Sequence, residues 1–335
     1  MKRIVFTAIL YLILTSNGII SQTDLPGMRT DDRIRISEAL KISAEYGDLV
    51  WKNFNEAPFA ILLVTNDNEF LLNHPLPSDD FKPAGSDSVT GSGIFVRGRI
   101  FNANMLATFP AVNAIPTIVV GIPENTGRST FEWVITLLHE HFHQLQYSQP
   151  DYYNAVNSLD LSGGDETGMW MLNYKFPYED PAVSKQFSSM MQMAEKTYLS
   201  ADYDELKSGL KNYLSEKEKF KRMLNKKDYD YFSFQLWQEG IARYTEMKFA
   251  EALKDNYKPS EKFMEISDYV SPDSFYRDIT GKLLKRAGTQ TLSADGRNCF
   301  YTLGALEGLI LDRTNPGWKE KYFSEKFFTD KYFNE

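Results

Sequence analysis

The stretch Ser129–Tyr147, STFEWVITLLHEHFHQLQY, holds three of the chain's four histidines, at His139, His141 and His143. Ser129 followed by Glu132 is a capping-box pattern, in which the serine oxygen and the glutamate carboxylate each reach an unpaired backbone N–H at a helix start. Trp133, Val134, Leu137, Leu138, Phe142 and Leu145 recur at helical spacing, and Pro150 follows the end. The spacing predicts a helix, and its apolar content predicts that the helix is largely buried.

On such a helix His139 and His143 lie one turn apart on one face. Their imidazoles can meet at a single metal ion, as the pattern H-E-x-x-H requires. Glu140 sits about 100° round from His139, where it can act on a water at the metal as a general base without being a ligand. His141 is about 200° from His139 and cannot join the same ion, so it is expected to be an outer-shell or surface histidine. Histidine is scarce here and the helix context fits, so a zinc site is expected rather than a hydrogen-bonded pair of core histidines.

The 335 residues allow one large domain or two modest ones, and a hydrophobic content of 42% supports a real core. A net charge of −8, with no Lys/Arg run interleaved with aromatics, argues against a nucleic-acid partner. Residues 1–21 resemble a secretory signal: Lys2 and Arg3, a short apolar core from Ile4 to Leu14, then small residues at Ser16, Gly18 and Ser21. The expected location is therefore periplasmic or extracellular. The apolar run is short for a span and none follows, so stable membrane insertion is not expected. Cys299 is the only cysteine, which excludes an internal disulfide, and it is read as a small buried hydrophobe.

Asp31 to Phe54 reads as an amphipathic helix with Ile36, Leu40, Tyr46, Val50 and Trp51 as core candidates. Phe59–Thr65, Glu69–Asn73, Gly93–Phe101 and Thr117–Ile122 read as strands, the last either an ordinary sheet strand or an edge able to pair with an extended peptide. Residues 75–92, rich in Pro, Ser, Asp and Gly, read as a loop. Beyond Pro150 the pattern turns helical, with helices expected over Glu166–Tyr174, Pro181–Leu199, Asp204–Asn225, Asp228–Leu253 and Cys299–Arg313. The charge of Asp204–Asn225 marks a solvated face. The expected class is α+β: a lobe over 22–147 with a mixed sheet packed on the motif helix, and a mainly helical lobe over 148–335, together one catalytic unit.

A catalytic zinc takes three protein ligands and leaves one position for water. A third histidine six residues after the pair, with Gly midway, is one known continuation, but Gln149 and Gln146 occupy those positions. That leaves a carboxylate or His74. The segment Trp237-Gln238-Glu239-Gly240-Ile241-Ala242-Arg243-Tyr244-Thr245-Glu246 resembles the second motif of the gluzincin metallopeptidases, a helix carrying Glu-Gly-x-Ala-x-Tyr. The resemblance covers this segment and His139–His143, and it implies a zincin-like fold with Glu239 as third zinc ligand. Ninety-five residues lie between His143 and Glu239, against about twenty in the thermolysin and aminopeptidase branches. An inserted helical segment accounts for the difference. Glu166 is the alternative, with better spacing and poorer surroundings.

The resemblance implies an exported zinc peptidase acting on a peptide or protein. Zinc held by His139, His143 and Glu239 lowers the pKa of a water, and Glu140 takes its proton as a carbonyl is attacked. A tyrosine or histidine is expected to steady the oxyanion. Tyr301 is the first candidate, with Tyr244 and His74 behind it. A non-catalytic secreted binding protein that keeps the fold, and an enzyme of different chemistry on the same metal site, stay open as alternatives.

Overall fold

Two strands rich in branched aliphatics, ILLV and IPTIVVG, lie at the heart of the sheet. Strand β1 (Ile61–Val64) and strand β6 (Ile115–Gly121) lie side by side in parallel, with Ile61 opposite Ile118 and Leu63 opposite Val120. The remaining strands, β2 (Asn68–Leu72), β3 (Lys82–Ser86), β4 (Gly93–Gly98) and β5 (Leu106–Val112), pair antiparallel in the order β3-β4-β2-β1-β6-β5. The computed structural model describes residues 27–333. The export signal expected over residues 1–21 lies outside them.

Alternation along the strands splits the apolar residues between two faces. Ile61, Leu63, Ile118 and Val120 enter the main core, whereas Leu62, Val64, Leu71 and Val119 form a smaller cluster with Phe81 and Val112 on the other face. The main core is continuous with the helices and contains the fully buried Trp51, Trp133, Trp237 and Trp318.

The principal helices are α1 (Thr30–Val50), α2 (Thr130–Ser148), α3 (Pro181–Tyr198), α4 (Tyr203–Met223), α5 (Lys226–Gln235), α6 (Ile241–Leu253), α7 (Pro272–Thr289) and α8 (Asn298–Thr314). α2 starts where the capping pattern predicts, with Glu132 accepting from the Ser129 N–H at 3.1 Å. It is then tied to the sheet. Trp133 Nε1 donates to Gly121 O at 2.8 Å, and Gln144 Nε2 donates to Ala60 O and Pro116 O at 2.9 and 3.0 Å. Among the described residues no helix is long and apolar enough to cross a membrane.

Several expectations are corrected. Residues 75–92 include β3, an edge strand with neither face buried, so no hydrophobic alternation announced it. Of the two readings of Thr117–Ile122 the ordinary strand holds, since β6 is interior and ends at Gly121; the edge beside α2 is β5, which contains Pro110, a residue tolerated at sheet edges. Glu166–Tyr174 contains only one helical turn, Trp170–Asn173. The helix expected from Asp31 stops at Val50, before a separate short turn at Phe54–Glu56. No sequence signal singled out α7.

Candidate metal centre

α2 presents His139 and His143 on one face with their Nε2 atoms 3.1 Å apart. Glu239 Oε2 lies 3.4 Å from His143 Nε2 and 3.9 Å from His139 Nε2. All three donors fall within 4.8 Å of one another. A tetrahedral zinc with bonds of roughly 2.0–2.1 Å needs its donors about 3.3 Å apart. The observed separations fit that requirement.

Glu239 reaches this point from an irregular piece of helix. Leu236–Gly240 is a π-turn between α5 and α6, widened by one residue. The carbonyls of Trp237 and Gln238 accept from Gln146 Nε2 at 3.3 and 3.1 Å, and Tyr322 also donates to Trp237 O at 2.6 Å. Side chains thus satisfy backbone groups at the widened turn. Gly240 makes a close helix crossing possible, because a Cβ on it would stand 2.5 Å from Gly304 Cα on α8.

The outer nitrogen of each histidine lies against a side-chain oxygen. His139 Nδ1 lies 2.6 Å from Glu246 Oε1, and Arg243 pairs with the other Glu246 oxygen. His143 Nδ1 lies 2.6 Å from Gln146 Oε1. The Gln146 amide cannot flip without loss, since its Nε2 faces two carbonyls and its Oε1 also accepts from Gln238 Nε2 at 3.0 Å. With Gln146 Oε1 accepting from Nδ1, the proton that His143 gives up on becoming neutral is the one on Nε2, the nitrogen that faces the centre.

Burial alone would push the Glu239 carboxyl up and the His143 imidazole down. Their mutual attraction outweighs burial, holding Glu239 down at about 2 and His143 up at about 9. Glu246 is likewise held at about 2, burial being outweighed by Arg243 and His139. Glu239 is thus the anion of the cluster, and His143 the cation beside it.

Glu140 is buried beside the pair and is not one of the three converging donors. The Thr108 hydroxyl on edge strand β5 reaches its Oε2 at 2.8 Å and its backbone oxygen at 3.0 Å. Tyr301, on the first turn of α8, lies nearly parallel to the His139 ring at 6.5 Å between centroids. Arg297 Nη1 donates to its hydroxyl at 2.7 Å. Burial, then the Glu239 charge, push the Tyr301 hydroxyl well above its ordinary value, so it stays protonated.

The other candidates sit elsewhere. Glu166 is exposed and outside the cluster. Tyr244 bonds to Asp312 at 2.7 Å among Trp51 and Trp318. His74 is buried outside the cluster, with Nδ1 accepting from the Leu76 N–H at 3.2 Å. His141 is not a surface residue: on a helix covered on all sides, its 200° offset aims it into the core, stacked on Phe59 at 4.0 Å. Sequence reasoning did not pick out Glu246, Gln146, Thr108 and Arg297 as site residues. Glu246 could have been found seven residues beyond Glu239, and Gln146 three beyond His143. Thr108 gives no local signal.

No protein-family model, no curated protein and no solved structure matches this chain.

Proposed function

We propose that the protein is an exported, zinc-dependent metallopeptidase of gluzincin type with a zincin-like arrangement. One observation carries the reading: three donor atoms from α2 and the π-turn converge at zinc-like separations, with the outer nitrogen of each imidazole 2.6 Å from a side-chain oxygen. The arrangement of β5 above α2, with Thr108 touching Glu140, supports it further.

His139, His143 and Glu239 would hold the ion. A zinc ion held there would supply Lewis acidity toward a carbonyl and a water. Glu140 is the general base that takes the proton of the attacking water and passes it to the leaving amine. Thr108 holds that carboxylate in one orientation. Tyr301 offers its hydroxyl proton to the developing oxyanion. Arg297 donates to the tyrosine oxygen, and the tyrosine proton, directed at Glu239, would have to turn from that carboxylate to reach the oxyanion. The outer edge of β5 has no strand partner among the described residues and supplies backbone groups for an extended peptide.

Zinc analysis of the purified mature protein, with casein-type substrate hydrolysis before and after chelation, tests this reading. One zinc per chain and chelator-sensitive cleavage are expected. Zinc without cleavage of any peptide would make the molecule a binding protein or an enzyme of other chemistry. Absence of zinc after loading would end the metallopeptidase reading.

A further inference from the structure

Solvent reaches the metal centre from the side of Glu239. Its side chain is 17% exposed, against 7% for His139 and 6% for His143. Tyr301, whose hydroxyl is directed at Glu239, and Arg297, which donates to that hydroxyl from Nη1 at 2.7 Å, stand beside it and are both partly exposed. Two hydrogen bonds therefore link Arg297 to a ligand carboxylate, a path of about 5.5 Å. At about 3.3 Å per residue of extended chain, a group held by Arg297 lies within two residues of a carbonyl reacting at the centre.

The fold gives Arg297 little reason to be there. It immediately precedes α8, and a cation at a helix N-terminus opposes the helix dipole. Among the described residues it makes no ion pair, and its one hydrogen bond is to Tyr301. Nη1 is engaged, with Cζ 5.5 Å from the Tyr301 ring centroid, which leaves the Nε–Nη2 edge unused. Neither nitrogen of that edge is sealed from solvent. Glu239 is the carboxylate that acts most strongly on Arg297, and a metal ion would claim it. A free guanidinium edge is a planar fork that fits a carboxylate with two parallel bonds.

We infer that Arg297 is a specificity residue of the proposed peptidase: its free edge takes a carboxylate carried within two residues of the scissile bond, either the chain terminus or an acidic side chain. The inference rests on the peptidase reading. It makes substrate choice depend on one negative charge close to the bond that is cut.

The experiment uses the zinc-loaded full chain carrying Glu140→Gln, so that peptides bind without being cut. Calorimetry compares twins of acetylated Ala-Ala-Phe-Ala: free acid against amide, then Glu against Gln at each position of the amide. One acidic twin should bind about 5- to 50-fold more tightly than its neutral partner, the range for a charge-assisted pair at a half-buried site. Which pair discriminates tells the terminal carboxylate from the side chain. Arg297→Gln should bring that ratio toward one, while Arg297→Lys, which keeps the charge without the fork, should keep part of it. Disturbed packing would weaken acid and neutral twin alike, and an acid bound by zinc alone would keep its advantage in Arg297→Gln. A ratio that survives Arg297→Gln, equal binding of every acid and its neutral twin, or binding of none of these peptides would overturn the assignment. The peptidase reading would then still stand or fall on zinc content and casein cleavage.

Discussion

Replacing Gly304 with alanine tests whether the crossing of α8 over the π-turn positions the metal centre. A Cβ at Gly304 would stand 2.5 Å from Gly240 Cα and 2.8 Å from Leu236 O, whereas ordinary Cβ contacts begin near 3.4 Å. Both neighbours are backbone, so the helices themselves must part by about 0.9 Å (3.4 less 2.5). Overpacking of this kind costs about 1–3 kcal/mol. The displacement is about a quarter of the 3.4 Å between Glu239 Oε2 and His143 Nε2. If the π-turn yields, Glu239 moves off the imidazoles; if α8 yields, Tyr301 moves. Urea unfolding of the metal-free protein should show the loss of stability, and competition with a chromophoric chelator should show zinc affinity down about 10- to 100-fold, the size of effect seen when ligand-orienting contacts are lost. Gly281→Ala is the matched control. It lies within α7 with open space around its would-be Cβ, and it should gain about 0.5–1 kcal/mol with zinc affinity unchanged. The reasoning is refuted if Gly304→Ala unfolds at the parent's urea midpoint and binds zinc as tightly.

Glu140→Gln should retain zinc and lose about 10²- to 10⁴-fold in turnover; near-native rates in a peptide assay would remove Glu140 from the mechanism. Glu239→Ala should weaken zinc binding steeply in the same chelator titration, while exposed Glu166→Ala should bind as the parent does, and the reverse pattern would reassign the third ligand. Burial holds His141 down at about 4 against 6.5 for an ordinary imidazole, so its neutral form contributes stability that is fully present above pH 6.5 and is lost as pH falls toward 4. The loss amounts to about 3 kcal/mol. His141→Gln should flatten the fall of stability over that window in metal-free protein, and an unchanged slope would show that another group governs it.

Much of the centre was legible because its signals are local. Ser129, Glu132 and the apolar period marked α2, and i, i+4 spacing put His139 and His143 together before any coordinates were known. Glu239 was legible only through its neighbours, since its approach depends on a widened turn that no periodicity announces. His141 was misread as an outer-shell or surface group because spacing gives direction round a helix but not what lies in that direction, here Phe54 and Phe59. β3 and β5 escaped notice for a shared reason. Edge strands are held by backbone bonds on one side, and Pro83 and Pro110 depress their apparent strand character. Thr108 came with β5, so the contact that orients Glu140 was hidden as well.

The 95 residues between His143 and Glu239 also set an order of events. A growing or threading chain offers its two imidazoles long before the carboxylate that completes the set. Until residue 239 is in place and α6 has docked on α2, an ion meets only two nitrogens and is held weakly. On the proposed reading, hydrolytic capacity therefore arrives late and all at once, as the excursion closes. On the same reading, a copy that opened between α2 and the π-turn would lose the third donor while its sheet stayed paired, and would fall silent while still largely folded.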